Sequence, residues 1–384
     1  MKHATAAEVD LGALRANFRV IEGLVRGRAG PPGGSAPPGI IAVVKANAYG
    51  HGALPVGLAL EEAGATMLAC ADIEEGMALR ESGIRLPILV FGALSVSDLG
   101  GLFTHDLTPT ISTPSAGRAL QKAAAARGAR LHCHLKVDTG MNRLGFRFDN
   151  LTRTVAEVAT HEHLVVDAVY THFATADDPD DPFFGEQRLR FDRAAGALAA
   201  LGVRPAPRHA ANSAALLRDE RVWYDFVRPG LLLYGIVPAP LASTLPLRPV
   251  LTLRSRLVAV KGLRPGEGVG YGLTWRADAP RTLGVVPAGY ADGLDRRLAG
   301  RGWVLVRGVR APIVGAVSMD SLTIDVTGLE VAPGDEVMIL GEQHGARIDA
   351  REMAATIGTV PYEILCRLGS RIQRVYTDRG IEDR

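Results

Sequence analysis

The chain has 384 residues, 47% hydrophobic and 22% charged, a composition that suits a water-soluble globular protein with room for two domains and substantial cores. A formal net charge of +2 gives no reason to expect nucleic acid or an anionic membrane as partner. Cys70, Cys133 and Cys366 are odd in number, widely spaced and outside any zinc or CxxC pattern, so they read as reduced thiols and no metal is expected. Glu8 and Asp10 interrupt any signal-peptide core, and no apolar run approaches the ~20 residues that span a bilayer, so the expected location is the cytoplasm.

Proline and glycine crowd Arg28 to Gly39, which reads as a loop. From the start to about residue 240, short apolar runs alternate with alanine-rich helical patterns. The strand candidates are Ile40 to Val44, Met67 to Ala71, Ile88 to Phe91, Leu107 to Ile111, Leu131 to Val137, Val165 to Tyr170, Pro207 to Ala211 and Val227 to Leu232. Helical patterns fall between most of them, for example Pro114 to Arg127, Asn150 to Thr160 and Glu186 to Leu201. This alternation predicts an α/β fold, a (β/α)8 barrel of the TIM type over residues 1–246. Beyond Pro246 the period becomes two, in Val250 to Val260, Thr282 to Val286, Trp303 to Val306, Ile313 to Ile324 and Glu336 to Leu340. With Pro265-Gly266 and Pro333-Gly334 as turns, residues 247–384 are expected to form a mostly antiparallel β domain.

The chemistry gathers where the barrel strands end. Ile40 to Val44 is the unbroken β-prone run of a strand buried on both faces, and Lys45 leaves it where α/β folds place their sites. Desolvation there disfavours the ammonium form, leaving an amine able to attack a carbonyl. A lysine after a strand is, by itself, ordinarily solvated or ion-paired. Tyr49 follows where the chain turns and can offer its hydroxyl to a phosphate. Lys136 ends the fifth strand and rivals Lys45. Arg143 is a permanent cation with a planar fork suited to oxyanions, or else the ion-pair partner of Asp138. His172 follows the sixth strand, a place where a satisfied polar histidine is common. In Asn212-Ser213, Ser213 is able to cap the next helix or to hold phosphate with its amide.

Val43-Val44-Lys45-Ala46-Asn47-Ala48-Tyr49-Gly50-His51-Gly52 closely resembles the pyridoxal-phosphate lysine motif of the alanine racemases. Further resemblances are Lys136 to Gly145, Arg228-Pro229-Gly230-Leu231, Gly268 to Trp275 and Ser318-Met319-Asp320. The resemblance implies pyridoxal 5'-phosphate as cofactor and a two-base racemase of L- and D-alanine, supplying D-alanine for peptidoglycan. Lys45 would form the Schiff base and act as one base, and Tyr271 as the other. An unperturbed tyrosine, near pKa ~10, is a poor base at neutral pH, so His172 polarised by Arg228 would have to lower it. Tyr49, Ser213 and the Gly230 and Leu231 amides would cradle the phosphate, beside Asn212. Arg143 would meet the cofactor's phenolate and the substrate carboxylate, positioned by a carbamylated Lys136, and the Met319 amide would meet the same carboxylate.

Arg228 would face the pyridine nitrogen. Arginine keeps its proton, so the nitrogen stays neutral and the weaker electron sink favours returning the proton to the substrate over transamination. Asp177, Tyr290, Asp292 and Arg296 resemble an entry channel for small substrates. The family also implies a head-to-tail homodimer in which Tyr271 and Met319 serve the partner's site, with Ala6 to Asp10 joining the β domain. Ala316 and Ser370 depart from common family residues, an outer-channel arginine and a tyrosine near the phosphate, which leaves a serine-type racemase open. A pyridoxal-phosphate homeostasis protein would lack the second domain, and a basic amino-acid decarboxylase would place a reactive cysteine in a context that Cys366 lacks.

Overall fold

The computed structural model describes residues 4–27, 36–92, 99–201, 203 and 207–378, so residues 28–35 of the expected Arg28 to Gly39 loop lie outside the described residues. Eight parallel strands form the barrel: Gly39–Val43, Met67–Cys70, Ile88–Val90, Leu107–Ile111, Leu131–Asp138, Leu164–Tyr170, Arg208–Asn212 and Phe226–Arg228. The eighth strand closes the ring on the first through Phe226 to Gly39 and Val227 to Ile40. The first strand is buried from Ile40 onward, as expected of a run apolar on both faces. Later strands carry polar groups inward as well, and Thr110, His134, Lys136, His209 and Arg228 are all buried.

Helices start where side chains can cap them. Asp10 Oδ1 accepts from the Ala13 amide at 2.9 Å to open Leu11–Arg26, and Thr113 caps Pro114–Ala125. The helix expected to begin at Glu186 runs from Phe183 to Ala200, because Asp181 Oδ1 accepts the Phe183 amide at 2.8 Å and Pro182 has no amide to satisfy. The expected strand Val227 to Leu232 ends at Arg228. Pro229 cannot donate to a ladder, and the chain then turns through Leu233 N to Gly230 O at 2.9 Å.

The second domain is built on a large, mostly antiparallel sheet, beside which Gly268–Val269 and Trp275–Arg276 form a separate two-stranded hairpin. The segment expected as one strand, Val250 to Val260, is two, Leu251–Arg256 and Ala259–Leu263. Leu257 donates to Asp335 O at 2.9 Å and Val258 to Val285 O at 2.9 Å, so the chain changes neighbours between the halves. Ile313 to Ile324 likewise divides into Val309–Val314 and Leu322–Asp325 around a turn closed by Ser318 and Ser321, which leaves Met319 and Asp320 exposed. Ala6–Asp10 pairs antiparallel with Leu251–Arg256 and parallel with Gln373–Thr377, so both ends of the described chain share this sheet. Among the described residues, no helix is long and apolar enough to cross a membrane.

Asn17, fully buried on the first helix, ties the barrel to the second domain. Its Nδ2 donates to Leu233 O at 2.9 Å and Arg248 O at 2.7 Å, and its Oδ1 accepts from the Arg248 amide at 2.7 Å. Asn17→Leu keeps the branched shape, with somewhat more bulk, but strands those backbone groups, so urea denaturation should show a loss of about 2–4 kcal/mol. An unchanged midpoint and slope would contradict this role.

Candidate active site

Directly after Val44 the chain enters a left-handed turn. Ala46, Asn47 and Ala48 have φ 53° and Tyr49 has φ 52°. Such residues cost roughly 1–2 kcal/mol each outside glycine, so surrounding contacts must enforce them. Glu75 Oε1 accepts the Ala46 amide at 2.7 Å, and Asn47 Oδ1 accepts the Ala53 amide at 2.8 Å. Gly50, at φ +79°, closes the turn where a Cβ would stand 2.1 Å from Leu365 O. The result presents Lys45 and Tyr49 to the same cavity.

That cavity has a volume of about 420 Å³ at the C-terminal ends of the barrel strands. Lys45, Lys136, Arg143 and Arg228 line it, and its described lining residues include no carboxylate. Burial, then the neighbouring Arg143, lowers the Lys45 ammonium from its usual range, and the same causes bring Lys136 to about 8. Tyr49, Ser213 and Gly230 form one wall. A Cβ on Gly230 would stand 2.5 Å from Tyr49 Oη, so only glycine leaves this corner free. Burial raises the Tyr49 phenol above its usual range, which keeps its hydroxyl protonated. A larger cavity of about 550 Å³ at the domain boundary has no lysine in its lining.

Arg228 is buried and, although burial brings it to about 10, it stays a cation near neutrality. Its Nη2 donates to Thr171 O at 2.9 Å and Ala210 O at 3.0 Å. Its Nη1 lies 2.9 Å from His209 Nδ1, and its Nη2 3.3 Å from His172 Nδ1. Arginine only donates, so His209 accepts at Nδ1 and carries its proton on Nε2; Nη2 has two hydrogens for three acceptors, so His172 Nδ1, the most distant, shares one of them with a carbonyl. His209 Nε2 then donates to His134 Nδ1 at 3.0 Å, extending the order across the barrel. Burial and Arg228 hold His172 and His209 well below the usual histidine range, and burial brings His134 to about 3.

Most of the sequence-predicted site is brought together: Lys45, Tyr49, Lys136, Arg143, His172, Asn212, Ser213, Arg228 and Gly230 line one cavity. Asp138 Oδ1 accepts the Gly140 amide at 2.9 Å and the Asn142 amide at 3.1 Å, and no ion pair joins it to Arg143 among the described residues. The helix cap is Asn212, whose Oδ1 accepts from Ala215 N at 2.9 Å. Ser213 Oγ instead accepts from Gly230 N at 2.9 Å and Leu232 N at 3.3 Å. Leu231 is fully buried and outside the lining.

Residues of the second domain divide sharply. Val360 and Tyr362 line the cavity, and the Tyr362 ring lies 5.7 Å from that of Tyr49. Burial, then the exposed Asp177 carboxylate, raises the Tyr362 phenol to about 12, so Asp177 faces this wall. Sequence reasoning missed Tyr362 and looked for a tyrosine at Ser370, which is exposed and outside the lining. The available signal was Pro361-Tyr362, an aromatic beside a helix-opening proline. Tyr271, Met319, Tyr290, Asp292 and Arg296 do not reach this cavity. Tyr271 is 78% exposed and Met319 51%, while Asp292 is buried and paired with Arg371 Nε at 3.2 Å. Ala316 abuts the Tyr271 turn, its amide 3.2 Å from where a Cβ on Gly270 would stand.

A barrel with a second β domain, and two partly desolvated amines and two arginines around one cavity, is the arrangement of an enzyme whose site suits an anionic ligand. Residues 9–238 match the family "Alanine racemase, N-terminal domain" and residues 250–376 "Alanine racemase, C-terminal domain". Alanine racemase of Symbiobacterium thermophilum is 43% identical over 97% of this chain and 97% of its own length. The crystal structure of alanine racemase from D-cycloserine-producing Streptomyces lavendulae superposes with a TM-score of 0.91 at 35% identity, covering 99% of this chain and 98% of that one. Alanine racemase from Bartonella henselae, with covalently bound pyridoxal phosphate, superposes with a TM-score of 0.85 at 28% identity, covering 97% and 99%. The chain belongs to the alanine racemase family, whose members are pyridoxal-phosphate-dependent racemases.

The neutral buried imidazoles make stability depend on pH. His51 is held at about 4, His134 at about 3 and His209 well below its usual value, mainly by burial. The unfolded chain takes up these protons near pH ~6.5 and the folded chain does not, so stability is complete above that value and falls with acidification. Each imidazole contributes a slope approaching about 1.4 kcal/mol per pH unit, above the range where ordinary carboxylates titrate. Urea denaturation at about pH 7.5 and pH 5.5 should show that loss; equal stability would contradict neutral imidazoles.

Proposed function

We propose that this chain racemises alanine, with pyridoxal phosphate held in the 420 Å³ cavity. One observation carries the reading: amines and arginines converge there without a described carboxylate, an environment suited to an aldehyde bearing a phosphate. The residues fit that group. Tyr49, Ser213 and Gly230 would hold the phosphate in the corner that a Cβ would fill, and Lys45 would hold the aldehyde carbon. When bound, pyridoxal phosphate supplies an electron sink that acidifies the substrate Cα–H bond.

The chain's own residues then have distinct tasks. Lys45, its pKa lowered by burial and Arg143, is a base that moves the proton on one face. Arg228 would meet the ring nitrogen and cannot surrender its proton there, which keeps the sink moderate and favours return of the proton to the substrate. Arg143 has no ion-pair partner among the described residues and is free for the substrate carboxylate. Lys136, at about 8, offers a larger share of the unprotonated amine that carbamylation needs than an ordinary lysine does, and the added negative charge would lie among the cations that now depress it.

The opposite face needs a second group. Tyr271 and Met319 lie on the exposed surface of the second domain, outside their own chain's cavity, which supports a head-to-tail homodimer in which each serves the partner. His172 Nε2–H, fixed in that tautomer by Arg228, would donate to the incoming Tyr271 and ease loss of its phenolic proton. Asp177 and the partner's channel residues would restrict entry to small amino acids. The product would feed peptidoglycan synthesis in the cytoplasm. Ala316 beside the Tyr271 turn favours testing serine as well as alanine. The match over residues 250–376 weighs against a single-barrel homeostasis protein.

Purified protein reconstituted with pyridoxal phosphate should turn yellow and interconvert L- and D-alanine, and failure of both would end this reading. A mixture of inactive Lys45→Ala and inactive Tyr271→Phe chains, allowed to exchange subunits, tests the shared site. Half the dimers become hybrids with one intact site of two, so activity should return to roughly a quarter of wild type. Full exchange without rescue would mean that both bases come from one chain. Arg228→Glu should raise transamination relative to racemisation, and an unchanged product ratio would refute the role given to Arg228.

A further inference from the structure

One buried imidazole has no part in the mechanism above. His51 is fully buried at the end of the left-handed turn. Its Nδ1 lies 2.9 Å from Tyr49 O and 3.0 Å from Ala48 O. Both are carbonyls, so Nδ1 must carry the proton and share it between them. Nε2 has no hydrogen-bond partner among the described residues, and burial brings the imidazole to about 4, so the ring is neutral.

The ring is also fixed from the other side. It packs on Tyr234 with centroids 4.4 Å apart, and Tyr234 Oη donates to Val43 O at 3.0 Å. Tyr234 in turn packs on Tyr49 at 5.0 Å. From the last strand, Arg374 Nε donates to Gly50 O at 2.7 Å. The turn is thus tied to the strand before it, to the barrel's end and to the second domain. Within the turn, backbone bonds satisfy Val44 O and Ala46 O. Among the described residues, the donor to Tyr49 O is His51 Nδ1.

We propose that His51 is a positioning residue, whose Nδ1–H fastens the left-handed turn so that Lys45 and Tyr49 face the cavity together. It acts through the backbone of the residue assigned to the phosphate and touches neither cofactor nor substrate. This rests on the cavity being the pyridoxal-phosphate site.

Two replacements separate fastening from packing. Asparagine places an N–H where histidine has Nδ1 but gives up the ring, whereas phenylalanine keeps a ring against Tyr234 and gives up the donor. Binding of pyridoxal phosphate and of pyridoxal to the apo-protein is measured by absorbance titration, beside apo-protein melting curves. For fastening, His51→Asn should stay near wild type, and His51→Phe should bind pyridoxal phosphate at least about tenfold more weakly, the effect expected of a lost buried hydrogen bond. Pyridoxal, lacking the phosphate, should lose less. His51→Phe binding as tightly as His51→Asn, or losing both ligands equally, would overturn the proposal.

If His51→Phe does not fold, His51→Gln replaces it, since its donor lies one methylene too far. Gln binding pyridoxal phosphate as well as Asn would then be the contrary result. Wild-type protein that binds no pyridoxal phosphate would instead remove the underlying reading, and this inference with it.

Discussion

Four cations facing one cavity, with no carboxylate among its described lining residues, is the constraint from which the site's other properties follow. Like charges at close quarters in a desolvated space favour losing a proton from whichever group can lose one. The arginines hold theirs, so the penalty falls on the lysines, whose pKa values shift downward through burial first and Arg143 second. Burial, then the Arg228 cation, keeps His172 and His209 neutral, and neutrality lets them accept from Arg228. An anionic ligand would relieve the remaining repulsion. Amine reactivity and imidazole neutrality thus share two causes, burial and the arginine cations.

Such a cluster opposes folding, and the scaffold offsets it by rigidity. Arg228 sits at the end of the eighth strand and hydrogen-bonds to Thr171, just past the sixth, and to Ala210, within the seventh, so its cation is solvated by carbonyls that the closed barrel cannot move away. Lys45 is held by the left-handed turn, strained by itself and enforced by Glu75, Asn47, His51 and Arg374. The second domain contributes Val360 and Tyr362 to the wall, so the cavity is complete only once both domains have packed.

Much of this was legible in the chain. Apolar runs ending in lysine, arginine or histidine marked the barrel strands and most of the lining, because a strand buried on both faces shows its solvent-facing end as an abrupt polar residue. Other features depend on tertiary partners. Regular alternation across Leu251 to Leu263 gave no sign that the chain changes neighbours at Leu257 and Val258. Asn212 and Ser213 are both good capping residues, and only geometry assigns the cap to the first. Tyr362 reaches the cavity through the packing of a short helix; Pro361-Tyr362 marks where that helix opens but not which way its ring faces. Ala46 to Tyr49 has little left-handed preference apart from Asn47, so contacts from elsewhere impose that turn.

The central claim is that, of two desolvated amines in one cavity, Lys45 is the one that bonds the carbonyl group. Borohydride reduction of protein loaded with pyridoxal phosphate, followed by peptide mapping, tests it directly. The account predicts label on the peptide containing Lys45 and none on Lys136. Label on Lys136 would contradict it, because the left-handed turn would then be presenting the wrong amine.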